Sequence, residues 1–115
     1  MNITNANDQL MGYNCSEKFY KANFSFLYTE GVKELVKRFK CYWLLEIIIS
    51  YQSQLKKEEF QVWALERNEN NTAKVIATDG NGKVLVTQLI PYTDFEPQSA
   101  TVWVENNIIL LPMEH

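Results

Sequence analysis

Four consecutive residues, Asp79-Gly80-Asn81-Gly82, constrain this chain more than any others. Asp-Gly and Asn-Gly dipeptides accept positive φ, which a tight β-turn requires. Alternating stretches flank them, residues 73–78 before and 83–90 after, so the segment predicts a β-hairpin. The same period of two recurs over residues 59–67, 101–105 and 107–111, which makes five strands in the second half. Residues 68–72 join the first two strands, and residues 91–99 form a longer loop carrying Pro97. Short links between successive strands predict an antiparallel meander.

The first half has a helical period. Thr29 is an N-cap candidate, with Glu30 placed to complement the helix dipole. Val32, Leu35, Val36, Phe39, Trp43 and Ile47 then form one apolar stripe. Residues 41–51 fit a buried strand through Ile47, Ile48 and Ile49, or a helix. Eleven residues favours the helix. Its narrow polar face would carry Tyr42, Glu46, Ser50 and Ser53. A break near Lys40 and Cys41 has no Gly or Pro to cause it. Ser16 caps a shorter helix reaching about Asn23, and the polar, Asn-rich residues 1–12 read as a flexible tail. Residues 13–115 then make one α+β domain, with N-terminal helices packed on a four- to five-stranded antiparallel β-meander sheet. With 46% hydrophobic residues, 4 Gly and 3 Pro, disorder and collagen-like repeats are excluded. The 115 residues are enough for a core that needs no disulfide or metal.

Pairing the strands assigns their faces. With residues 67–72 as the first loop, Val62 and Ala64 share a face with Val75, Ala77, Val84 and Val86, and Phe60 lies beyond. That is the expected helix-packing face. The opposite face would carry Trp63, Leu65, Ile76, Leu85 and Leu89, diluted by Lys74, Thr78 and Thr87. A solvent-facing side should be more polar. Either another part of the chain covers it, or it is a contact surface. Trp63, Ile76, Leu85 and Leu89 are therefore the candidate protein-interaction residues.

Net charge is −3, but it is split. Residues 16–57 hold eight Lys/Arg against four Glu, net +4, whereas residues 58–115 hold three against nine acids, net −6. The basic half makes Lys37, Arg38 and Lys40, interleaved with Phe39, Tyr42 and Trp43, candidates for polyanion binding. If Phe39 and Trp43 face the core, these cations are an ordinary solvated face. Cys15 and Cys41 match no metal or redox spacing, and Cys41 reads as a buried thiol. Residues 1–11 lack a basic n-region and an apolar h-region, and no run spans a bilayer, so a cytoplasmic protein is expected. The only histidine is His115, and no phosphate-binding, nucleophile-elbow or metal motif is present. No catalytic, cofactor or metal residue is assigned.

Several segments in order have a combined specificity that none has alone: Tyr28-Thr29-Glu30-Gly31-Val32-Lys33, Tyr42-Trp43-Leu44-Leu45, Ser50-Tyr51-Gln52 and Phe60-Gln61-Val62-Trp63. They continue with Asp79-Gly80-Asn81-Gly82-Lys83-Val84-Leu85, Ile90-Pro91-Tyr92-Thr93-Asp94-Phe95, Trp103-Val104-Glu105-Asn106 and Leu110-Leu111-Pro112-Met113-Glu114-His115. From about Tyr13 onward the chain resembles a domain-of-unknown-function family of small bacterial, plasmid and phage proteins. The resemblance implies no reaction or cofactor. It implies a mobile-element setting, in which small acidic proteins bind host machinery, defence complexes included. Arg38 and Lys40 are more basic than that pattern leads one to expect. The expected function is a non-catalytic protein-binding module, plausible as an inhibitor or accessory factor. The alternative is nucleic-acid binding through the basic helical face. The expected partner is a protein, a second copy included, with no membrane role.

Overall fold

The computed structural model describes residues 5–10, 19–22, 26–95 and 97–115. Two helices, α1 (Glu30–Arg38) and α2 (Tyr42–Ser50), lie mid-chain between strands. Before them come β1 (Phe19–Lys21) and β2 (Leu27–Thr29). After them come β3 (Phe60–Arg67), β4 (Ala73–Thr78), β5 (Val84–Ile90), β6 (Ser99–Glu105) and β7 (Ile108–Leu110). All seven strands form one sheet in the order β1-β2-β7-β6-β3-β4-β5. Every pairing is antiparallel except β2 with β7.

The five expected strands are present within two residues of their expected limits. The expected N-terminal helices and four- to five-stranded sheet need correction. Phe19–Lys21, placed in a helix capped by Ser16, is strand, and Ser16 itself lies outside the described residues. β1 and β2 have three residues each, too few for an alternation to be read. Tertiary pairing makes them strands: β2 adds to β7 with Tyr28 beside Ile109.

The β3–β4 register is one residue from the expected one. The loop is the five residues between Arg67 and Ala73, which pair, and Asn71 supplies its positive φ of 61°. A one-residue shift exchanges faces. Trp63 and Leu65, set opposite Ala77 and Val75, therefore point at the helices with Ala100, Val102 and Val104. Val62 and Ala64, expected there, point away with Thr78 and Ile76.

Thr29 caps α1, its Oγ1 accepting from the Val32 amide at 3.3 Å. The helix buries Val32, Leu35 and Val36. It ends without glycine because Lys40 takes φ 54°, and the Cys41 amide reaches back to the Val36 carbonyl at 2.9 Å. That is a Schellman ending with lysine at the left-handed position. α2 then runs over the sheet with Leu44, Leu45, Ile48 and Ile49 buried.

The described residues nearest each end of the chain are fastened to the domain. Residues 5–10, expected within a flexible tail, form a bridge from Asn5 to Ser99 and a 3-10 turn, Ala6–Leu10, whose Ala6 and Leu10 enter the core. The Asn7 side chain imitates a strand. Its Nδ2 donates to the Thr101 carbonyl and its Oδ1 accepts from the Thr101 amide, both at 2.8 Å. It satisfies β6 where the shorter β7 does not reach. At the other end the Glu114 carboxylate lies against the start of α1. It accepts from Thr29 Oγ1 at 2.5 Å, the Gly31 amide at 3.1 Å and the Leu111 amide at 2.9 Å.

Candidate functional site

The helices cover one face of the sheet, and the core cluster lies between them and that face. Phe60, Val62, Ala64, Ile76, Val84, Leu89 and Trp103 do not belong to the cluster. They occupy the other face. Register places Val62 beside Trp103 and Thr78, Ala64 beside Ile76, and Thr87 beside Ile76. Phe60 meets Trp103 edge-on at 5.1 Å between centroids, and Trp103 meets His115 likewise at 5.3 Å. His115 Nε2 lies 3.0 Å from Glu105 Oε2. An aromatic line thus crosses β3 and β6 to the C-terminal turn.

The four interaction candidates do not form one surface. Trp63 is 1% exposed, and its Nε1 donates to Gln61 Oε1 at 2.9 Å inside the core. It is not an interface residue in this fold. Leu85 is the extra residue of a β-bulge, since Ala77 pairs with Val86 and Thr78 with Val84. The bulge turns Leu85 onto the core, where it is half-buried. Ile76 is half-buried on the helix-free face, and Leu89 stands on the same face, 72% exposed. The missed members are Phe60, Val62, Ala64 and Val84, expected on the helix side, and Trp103. Correct loop parity would have placed Val62 there and moved Trp63 inward.

A cavity of about 810 Å³ opens at the far end of α2. Phe26, Ile49, Leu55 and Val104 form its apolar floor. Gln61, nearly fully buried, forms part of its wall, exchanging two hydrogen bonds of 2.9 Å with Gln52. These amides satisfy each other and the Trp63 indole, so this wall is a closed network rather than a set of groups aimed at a ligand. Lys56, Glu58 and Glu59 line the cavity as well.

Lys37, Arg38 and Lys40 are all exposed at the end of α1. Arg38 is paired with Glu34, Nη2 to Oε1, at 2.8 Å. Of the three interleaved aromatics, Phe39 turns inward and packs edge-on against Phe95 at 5.9 Å, while Tyr42 is exposed. Trp43 also packs on the core. Phe39 and Trp43 therefore belong to the core side of the helices, away from an exposed stacking surface.

Among the described residues two titratable groups depart from their ordinary values. Burial pushes the free Cys41 thiol up to about 12. The Asp79 carboxyl is held below its ordinary value, chiefly because it accepts from the Asn81 amide. The first is a core thiol and the second a hairpin lock, where Oδ1 also receives the Lys83 amide. Among the described residues no group of three or more His, Cys, Asp or Glu could hold a metal ion. No described helix is long and apolar enough to cross a membrane.

Fold and surface together define a two-layer α+β protein with one sheet face outside the helix-packed core. The family of unknown function DUF6876 matches residues 4–115, and the chain belongs to that family. No curated protein and no solved structure matches it.

Proposed function

We propose that this chain is a non-catalytic protein-binding module that docks through the helix-free face of its sheet. One observation carries the reading. The face presents a continuous row of apolar and aromatic side chains, Phe60, Val62, Ile76 and Trp103, that takes no part in the core. Aromatic rings with a polar tip are the side chains that anchor protein interfaces. The resemblance to small mobile-element proteins suggests the partner, a host complex such as a defence complex, with the chain as inhibitor or accessory factor. Nucleic-acid binding through Lys37, Arg38 and Lys40 has less support, since Phe39 and Trp43 turn inward.

A photocrosslinking residue at Ile76, expressed in the native host, is expected to join the chain to one protein. Rebuilt from purified components, that complex should weaken by about tenfold or more, ~1.4 kcal/mol, on Ile76→Lys. Ser53→Lys, an exposed change at the cavity mouth, should leave it unaltered. Loss at Ser53 with none at Ile76 moves the site to the cavity and ends this reading.

A further inference from the structure

Among the described residues β5 ends the sheet and pairs only with β4, so one of its edges carries backbone groups that no described strand pairs. Edge strands are normally blunted by shortness, a charge or a proline. The opposite edge, β1, obeys: it has three residues and ends on Lys21. β5 does not. Its seven residues, Val-Leu-Val-Thr-Gln-Leu-Ile, hold neither charge nor proline. The three most exposed large hydrophobics among the described residues gather here: Val84 at 58%, with Leu89 and Tyr92 at 72%.

We infer that β5 pairs with β5 of a second copy, antiparallel, about a two-fold axis at Thr87. This concerns the sheet edge and does not depend on the docking face proposed above. An isologous contact must be self-complementary, and the strand is. Around Thr87 the outward residues are Leu89 in one direction and, because of the bulge at Leu85, Val84 in the other. With Thr87 opposite its own copy, each Leu89 meets Val84 of the second copy. The most exposed side chains of the strand thus cover one another. On the helix side Gln88 meets Val86 of the second copy. Thr–Thr and apolar cross-strand pairs are favourable, and no like charges are opposed. Lys83 arrives near Ile90 and Tyr92 of the other copy. The bulge, which protects edges in many sheets, here brings the two apolar positions into register. Two seven-stranded sheets would become one continuous sheet. Strands of this length make a contact near the small end of specific association, on the order of 1,000 Å².

Sedimentation equilibrium from low to several hundred micromolar should show mass rising from 13.5 kDa to twice that value. Thr87 is exposed, so Thr87→Lys and Thr87→Asp should leave the fold intact, to be checked by circular dichroism. Each variant alone should stay monomeric, because like charges meet on the axis. An equimolar mixture should dimerise, and mass spectrometry of size-tagged copies should find mixed dimers. Three results overturn the inference: a wild-type monomer at every concentration, a dimer indifferent to Thr87→Lys, or no rescue on mixing. If instead Ile76→Lys dissociates the dimer and Thr87→Lys does not, the copies meet through the sheet face and the edge pairing is wrong.

Discussion

Gly31 sits in the first turn of α1, where alanine would ordinarily strengthen a helix. Its φ is not in the left-handed region, and nothing in the backbone demands glycine. A Cβ there would lie 2.7 Å from the Glu114 carboxyl carbon and from Oε1, and 2.8 Å from Oε2. The obstacle is the tip of a flexible side chain, so the clash itself is relieved when the carboxylate swings away. The cost is what the carboxylate leaves behind: Thr29 Oγ1, the Gly31 amide and the Leu111 amide. Hydrogen bonds to a charged group contribute about 1.5–3 kcal/mol each, but three sharing one half-buried carboxylate fall well short of their sum. A combined loss of about 2–4 kcal/mol is reasonable. Glycine-to-alanine propensity returns about 1 kcal/mol. Gly31→Ala should therefore destabilise the protein by about 1–3 kcal/mol. In a Glu114→Ala background the obstacle and the bonds are gone, so the same substitution should stabilise by about 1 kcal/mol. Urea unfolding followed by tryptophan fluorescence, run as a double-mutant cycle, reads both values. If Gly31→Ala has the same sign in both backgrounds, the proposed carboxylate capping of α1 is wrong.

Lys40 holds the left-handed position that ends α1, so Lys40→Gly should raise stability by roughly 1 kcal/mol in the same assay. Asn7→Ala removes both bonds to the Thr101 backbone. It should cost about 1–3 kcal/mol and speed exchange of the Thr101 amide in hydrogen-exchange NMR; an unprotected Thr101 in the wild type would refute that account. In a Cys15→Ser background, Cys41 should resist iodoacetamide across neutral and mildly alkaline pH, because its thiolate forms only near 12. Labelling should become fast on adding urea, and rapid labelling of the folded protein would contradict the burial.

Sequence periodicity showed most where elements were long. β3 and β5, of eight and seven residues, alternate visibly, and the Asp-Gly-Asn-Gly turn located the hairpin between β4 and β5. β1 and β2 carry no such signal, since three residues cannot display a period; β2 owes its strand form to the distant β7, and β1 to its pairing with β2. Loop parity was the costliest error. One residue more or less between Arg67 and Ala73 decides whether Trp63 is a surface anchor or a core ring. The end of α1 was legible as a position but not as a mechanism, because lysine stands where glycine is usual. For the candidate surface, Ile76 and Leu89 were found, while Phe60 and Val62 were assigned to the wrong side. The role of Glu114 had no sequence signature: it acts 85 residues from Thr29.

The parallel junction of β2 with β7 also bears on the order of assembly. As a chain emerges from the ribosome, the hairpins β3–β4 and β4–β5 can close from neighbouring segments. β2 has to wait for residues 108–109, Asn5 for Ser99, and the Thr29 cap for Glu114. Contacts of such sequence separation form slowly, because most of the chain must be gathered before they are rewarded. Asn5, β2 and Thr29 on one side and Ser99, β7 and Glu114 on the other therefore join late, although many residues separate them along the chain. A nascent chain stalled before β7 would leave one edge of β2 and one edge of β6 open and α1 incompletely capped, the species on which chaperones and proteases act.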